Sequence, residues 1–272
     1  MSMKSSPIKA TLPKDQMYYP RTYRHLTANN RQSILFLLFL VLPALVAMLF
    51  LYDDLTRMMA ALATAVLVKA VPFSLISTIT REFIPGLGEV SLIKLPTFYP
   101  TQESVAVSIL ILLLLLWFLA SGRRLGKPVS IYLMIMTFFH MASCIYFFFA
   151  SANFPYTATE YSELYVLQQV GIWFSMLVLA GLITGFLGSK GILKRIATFA
   201  GVMAYSIIFG MIRYVLFLFI IHEFSILYMG VLFFALGPFF DFMYLILIYG
   251  LYADSMIRLY DTDTGRGEWS WS

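Results

Sequence analysis

Long apolar runs alternate with short polar segments along this chain. The runs cover roughly residues 33–52, 104–121, 129–150, 169–188, 196–221 and 226–252. An α-helix needs about 20 residues, at about 1.5 Å each, to cross ~30 Å of hydrocarbon. The pattern therefore predicts an all-α fold, a polytopic transmembrane bundle of about six spans.

One stretch between the first two spans does not fit this pattern cleanly. Residues 58–79 are largely apolar but contain Lys69 and Pro72, and a segment broken by proline and glycine follows at 81–100. The stretch either crosses the membrane or forms a cap over the bundle. Such a cap could be part interfacial helix and part loop, or two short re-entrant helices.

The distribution of lysine and arginine decides between these topologies, because basic residues near span ends are retained in the cytoplasm. If 58–79 does not cross, one side carries Lys4, Lys9, Lys14, Arg21, Arg24, Arg31, Arg123, Arg124, Lys127, Lys190, Lys194, Arg195, Arg258 and Arg266. The other side then carries only Arg57, Lys69, Arg81 and Lys94. This topology predicts six spans in the cytoplasmic membrane with both termini cytoplasmic.

The same topology gives the predicted organisation of the chain. A cytoplasmic tail at 1–32 precedes a bundle at 33–252, whose extracytoplasmic cap is 58–100, and a second cytoplasmic tail follows at 253–272. The first span, which is long enough to cross, is expected to be a retained signal anchor.

Composition agrees with a membrane protein and argues against other classes. Hydrophobic residues make up 60% of the chain and charged residues 12%, whereas soluble domains average about 45–50% and about 25%. The net charge of +5 comes from short clusters beside the spans, so it indicates topology rather than a nucleic-acid site. Cys144 is the only cysteine, which excludes an internal disulfide. The lipid bilayer is the first expected partner.

Two ionisable residues fall inside predicted spans. An ionised side chain in hydrocarbon costs about 2.5–3.5 kcal/mol, so it needs a partner or a function. Arg213 lies roughly 12 Å below the outer end of the fifth span, and Asp241 follows Gly237 and Pro238 in the last span. Because this Gly-Pro pair can break the helix and tilt the carboxylate, Arg213 and Asp241 are a candidate structural buried ion pair.

A thiol site is a second hypothesis. His140 and Cys144, four residues apart, share one helix face in the outer half of their span, and His222 ends the fifth span. A catalytic set would have Cys144 as nucleophile and Arg213 as electrostatic stabiliser. His222 would be the base, with His140 as the alternative.

Simpler interpretations of these residues stay open. Cys144 could be a small packing residue, His140 an interhelical hydrogen-bonding group, and His222 with Glu223 an interface cap. These residues include no short metal-ligand motif, so neither a metal nor another cofactor is expected.

The last four spans resemble the exosortase/archaeosortase family. The resemblance is carried by an arginine in Met-Ile-Arg-Tyr at 211–214, by His222-Glu223 and by a final helix rich in glycine and aromatic residues. It implies a multi-spanning transpeptidase whose Cys, Arg and His meet at the outer face to cut a C-terminal sorting signal, commonly beside exopolysaccharide genes. Arg213 is the residue that carries over.

The chain departs from the family at the other two positions. The family cysteine stands in a Cys-Ser-Gly setting, whereas the corresponding stretch at 160–165 reads Glu-Tyr-Ser-Glu-Leu-Tyr, and Cys144 comes about one hairpin too early. The family histidine falls near 237–241 of this chain, which reads Gly-Pro-Phe-Phe-Asp, whereas His222 follows Arg213 by only nine residues.

Three functions follow as hypotheses. The leading one is a degenerate or non-enzymatic exosortase-like membrane subunit of cell-envelope or exopolysaccharide assembly or of protein sorting, with a membrane protein or a sorted protein as partner. The second is an extracytoplasmic cysteine transpeptidase or protease. The third is a small transporter or lipid-handling protein in which Arg213 contacts an anionic headgroup.

Overall fold

The computed structural model describes residues 30–69, 72, 75–84, 86, 88–121, 126–186 and 191–264. Within these ranges the helices are α1 (Asn30–Phe36), α2 (Leu42–Leu67), α3 (Gln102–Ala120), α4 (Lys127–Ala150), α5 (Ala158–Phe186), α6 (Ile192–Glu223) and α7 (Pro238–Thr264). Strands β1 (Ser77–Ile84) and β2 (Gly88–Lys94) form one antiparallel hairpin.

The predicted α-helical membrane bundle is confirmed. Six helical segments of the described chain are long and apolar enough to cross a membrane, namely Arg31–Leu67, Gln102–Ala120, Lys127–Asn153, Ala158–Phe186, Ile192–Glu223 and Ile226–Ser255. The first joins α1 to α2 through a π-helical turn at Leu37–Val41, and the last contains another at Val231–Ala235. α7 continues to Thr264, beyond the boundary predicted at 253.

The segment at 58–100 differs from the predicted interfacial or re-entrant helices. α2 continues without a break to Leu67, and the chain then forms β1 and β2. The reason is visible in the residues of β1, because Thr78, Ile79, Thr80, Phe83 and Ile84 are β-branched or aromatic residues, which favour strands. The connecting turn uses Gly86 at φ +74°, a left-handed conformation open to glycine.

Strand β2 is buried among the helices, and side-chain hydroxyl groups satisfy its backbone on the edge away from β1. A buried N–H needs an acceptor, and three alternate residues of this segment find one on α2, α5 or α6. The bonds run from Ser91 to Thr56 (3.2 Å), from Ile93 to Ser162 (3.1 Å) and Tyr214 (3.0 Å), and from Leu95 to Thr159 (3.4 Å). These bonds attach the hairpin to the bundle.

The core of the bundle lies around α5 and α6. Trp173 and Met176 of α5 are almost completely buried, and α1, α2, α6 and α7 all contact α5. Helix α3 by contrast exposes a row of large apolar residues, as expected for a helix that faces lipid. We call the end of the bundle that holds β1 and β2 the hairpin end. The opposite end is marked by the last residue of α5, Phe186, and the first residue of α6, Ile192.

Candidate functional site

The site begins with an interruption in the last membrane segment. The π-helical turn at Val231–Ala235 ends at Leu236, and α7 starts at Pro238. Proline has no N–H to donate, so a helix broken here leaves carbonyl groups without their usual partners. In hydrocarbon such groups must be satisfied within the protein. Arg213 donates to the carbonyls of Leu236 and Gly237, and the Gly237 carbonyl also accepts from the Phe240 N–H (3.1 Å).

All five N–H donors of the Arg213 guanidinium are used. Nε donates to the Tyr165 hydroxyl (2.9 Å); one terminal nitrogen donates to the carbonyls of Leu236 (3.1 Å) and Gly237 (2.9 Å). The other donates to Gln169 Oε1 (2.8 Å) and Asp241 Oδ2 (2.7 Å). A guanidinium has five such donors in a planar fork, so these bonds exhaust its capacity.

Arg213 and Asp241 form a buried ion pair. The side chains are 4% and 1% exposed, and Asp241 lies in the first turn of α7. Buried charges require both pairing and further hydrogen bonds to offset desolvation. Tyr165 and Gln169, one turn apart on α5, supply these bonds, so the guanidinium joins α5, α6 and α7. We call Arg213, Asp241, Tyr165 and Gln169 the arginine brace.

Two glycines make room for the brace. A Cβ on Gly210 would lie 2.5 Å from Gln169 Nε2, and one on Gly237 would clash with the carbonyl oxygen of Phe233. The Tyr165 hydroxyl also donates to the Gly210 carbonyl (3.0 Å). The small residues therefore allow α5 to approach α6 closely and the last segment to fold back at its break.

Several further polar atoms are buried around the brace. They are Asp241 Oδ1, Gln169 Nε2, Ser206 Oγ and the Tyr244 hydroxyl. Asp241 and Ser206 both neighbour the Tyr244 side chain. The polar cluster thus continues from Arg213 along α7 and α6 toward the opposite end of the bundle.

The structure does not assemble the predicted catalytic set around Arg213. Arg213 and His222 are nine residues apart on one helix, which rotates about 100° per residue, so the two side chains leave opposite faces of α6 about 13 Å apart along its axis. The His222 ring instead contacts Phe98 edge-on, with ring centroids 5.1 Å apart.

His140 and Cys144 share the inward face of α4, as their spacing predicts, and both are buried. The His140 ring stacks on Tyr228 at 4.6 Å. A cavity of about 390 Å³ lies beside it, lined almost entirely by apolar side chains. Cys144 is fully buried as a free thiol. These surroundings match the packing role of a small apolar residue.

Tyr165 and Gln169 were missed at the sequence level, although their spacing of four on an apolar helix was a usable signal. Arg195 was also missed as a buried residue. It is 1% exposed, donates to the carbonyls of Thr184 (2.7 Å) and Gly185 (2.6 Å) near the end of α5, and lies over the Phe36 ring at 4.6 Å. It caps α5, since cations and donors stabilise helix C-termini.

The fold and the site define a multi-pass α-helical membrane protein with an arginine brace in its core. Among the described residues, no group of three His, Cys, Asp or Glu side chains could hold a metal ion. No protein-family model, no curated protein and no solved structure matches the chain.

Proposed function

We propose that this chain is a non-catalytic, exosortase-like membrane subunit that binds a partner protein in cell-envelope or exopolysaccharide assembly or in protein sorting. The observation that carries this proposal is the saturation of Arg213. An arginine that stabilises a reacting carbonyl must keep donors free for it, whereas this guanidinium spends all five donors on its own chain.

The burial of the other predicted catalytic residues supports the same proposal. A nucleophilic cysteine acts as a thiolate in a partly exposed, electropositive setting. Cys144 is completely buried, and the hydrogen bonds of Arg213 go to other residues. The third hypothesis, in which Arg213 binds an anionic lipid headgroup, has less support, because the Arg213 side chain is 4% exposed and its five donors are already used.

Charge supports a membrane orientation with the hairpin end outside. Near that end, acidic residues outnumber basic ones; the acids are Asp53, Asp54, Glu82, Glu89, Glu103, Glu160, Glu163 and Glu223. The opposite end carries Lys127, Lys194 and Arg195. Basic residues are retained on the cytoplasmic side, so we place β1 and β2 outside the cytoplasmic membrane, where a partner can reach them.

Complementation of a deletion strain tests the proposal. Wild type, Cys144→Ala and Arg213→Met are compared for protein level, for surface polysaccharide and surface-anchored protein, and for partner protein recovered with the purified chain. We expect Cys144→Ala to restore every readout and Arg213→Met to lose them together with the protein itself. A Cys144→Ala protein present at normal level, with its partner bound, but without surface polymer or anchoring would establish an enzyme instead.

A further inference from the structure

The direction of the hairpin is set by its contacts with two long helices. Along β2, Gly88 lies against Tyr52 and Ser91 bonds to Thr56, so the strand runs in the same direction as α2. On the other helix, Ile93 bonds to Ser162 and the following Leu95 bonds to Thr159, so the strand runs antiparallel to α5. Both relations place β2 along the helix axes rather than across the end of the bundle.

The pairing of β2 determines which backbone groups of β1 are free. In an antiparallel pair, successive residues direct their N–H and C=O groups alternately to the two sides of the strand. Ser91 and Ile93 bond to helices, so their neighbours Val90, Leu92 and Lys94 bond to β1.

The register pairs these residues with Arg81, Ile79 and Ser77. Thr78, Thr80 and Glu82 therefore direct their backbone groups away from the hairpin. We call this side of β1 the free edge.

The free edge is long, and no other described residue pairs with its backbone. Strand β1 has eight residues, and Thr78, Thr80 and Glu82 are exposed. Natural proteins protect such edges with proline, lysine, bulges or a covering element, because an unpaired strand binds other strands. β1 contains no proline or lysine. Its charged residues, Arg81 and Glu82, and its one irregularity, between Glu82 and Ile84, lie in its second half, so the edge at Thr78 and Thr80 is uncharged.

We propose that the free edge of β1 binds an extended segment of a partner protein, which adds a third strand to the hairpin. Thr78, Thr80 and Glu82 would make the main-chain hydrogen bonds, the mode known as β-strand addition. The free edge presents N–H and C=O groups in alternation along an extended strand. The ligand that matches this arrangement is the backbone of another extended polypeptide segment. This inference rests on the proposed function, in that it names the surface through which the subunit binds its partner.

Membrane symmetry argues that the partner is a different polypeptide and not a second copy. Antiparallel pairing of two identical β1 strands requires a two-fold axis perpendicular to the sheet. Since β2 runs along the helices, that axis lies close to the plane of the membrane. Such an axis would invert the second copy, whereas the strong bias of lysine and arginine toward one side of this chain favours a single orientation for every copy.

The full-length protein, purified from its own membranes, provides the test. Thr80→Pro removes one free-edge N–H but leaves the hydrogen bonds between β1 and β2 intact. Thr80→Val changes the same side chain and retains the N–H, so it is the matched control. We expect Thr80→Pro to recover about tenfold less partner than wild type, and Thr80→Val to recover a wild-type amount. Equal recovery by Thr80→Pro overturns the proposal.

A crosslinking experiment keeps the test decisive if Thr80→Pro does not fold. A photoreactive amino acid at position 80 should crosslink to a different polypeptide, whereas one at position 113, on the lipid-facing side of α3, should not. A crosslink from position 80 only to a second copy, or none at all, overturns the inference. The proposed function has its own failing results. It fails if no partner protein is recovered with the wild-type chain. It also fails if Cys144→Ala abolishes surface polysaccharide or protein anchoring while the protein level and the bound partner stay normal.

Discussion

The backbone amide of Ile93 lies 3.0 Å from the hydroxyl of Tyr214, the residue that directly follows Arg213 in α6. One turn of α6 therefore contacts both the hairpin and the arginine brace. Tyr165 strengthens the link, since its ring lies 5.3 Å from that of Tyr214 while its hydroxyl accepts from Arg213. The position of the hairpin consequently depends on the same helix contacts that hold the broken last segment.

The shared amide gives a prediction of non-additive mutations. Ile93 N–H has two acceptors, Ser162 and Tyr214, so Ser162→Ala or Tyr214→Phe alone leaves one in place. We expect each single variant to cost about 1 kcal/mol, because it loses the 2.7 Å bond between the two hydroxyls while the amide keeps one acceptor. The double variant should lose a further amount of about 1–3 kcal/mol, because the buried amide is then unsatisfied. Unfolding in detergent, with hydrogen exchange at Ile93, measures this, and a double variant as stable as either single variant would contradict the shared role.

The arginine brace predicts that the free energy of unfolding depends strongly on both partners of the ion pair, Arg213 and Asp241. Arg213→Met leaves Asp241 as an uncompensated buried charge, and we expect a loss of about 3–5 kcal/mol in the free energy of unfolding. Adding Asp241→Asn should recover part of that loss, because the remaining side chain is neutral. Both variants are compared with wild type by thermal unfolding in the same detergent.

Arg57 supplies the matched control for this comparison. It also pairs with aspartates, Asp53 and Asp54, but its side chain is 63% exposed. Exposed pairs contribute about 0–1 kcal/mol, so Arg57→Met should unfold close to wild type. Equal effects of Arg57→Met and Arg213→Met would show that burial of the pair is not what stabilises the brace.

The spans and the Arg213–Asp241 pair could be predicted because they rest on local or strongly constrained signals. A run of apolar residues determines a membrane helix by length alone, and a buried arginine requires an acid within reach. The partners Tyr165 and Gln169 were not predictable in the same way. A tyrosine or glutamine in a membrane helix is stable in several surroundings, so only the packing of α5 on α6 identifies its role.

The hairpin and the separation of Arg213 from His222 were missed for a different reason. Topology rules place residues on one side of a membrane but do not say which face of a helix each residue occupies. The spacing of nine residues between Arg213 and His222 does say this, because it turns the two side chains to opposite faces of one helix. In the segment 58–100 the apolar stretch continues α2 to Leu67, and the eight residues of β1 are too few and too irregular in pattern to indicate a strand beside the long spans.

The close approach of the helices predicts contrasting effects of glycine substitutions. Gly210→Ala and Gly237→Ala would place a methyl group against Gln169 and against the Phe233 carbonyl. Overpacking typically costs about 1–3 kcal/mol, and we expect Gly237→Ala to cost more because its neighbour is backbone. Gly201→Ala, on the same helix as Gly210 but in open space, should be neutral or stabilising, since alanine favours helix by about 1 kcal/mol. Thermal unfolding of the three variants measures the contrast.

Burial of Cys144 predicts that its thiol is protected in the folded protein. The residue is fully buried on the inward face of α4, so a membrane-impermeant maleimide should modify it only when the protein unfolds. A Cys144→Ala, Asn153→Cys variant is the matched control, because Asn153 follows α4 at the hairpin end and is exposed. In intact spheroplasts we expect rapid labelling of the control and labelling of wild type only after denaturation. A nucleophilic thiol must be accessible. Rapid labelling of Cys144 in the folded protein would therefore support the hypothesis that it is a nucleophile.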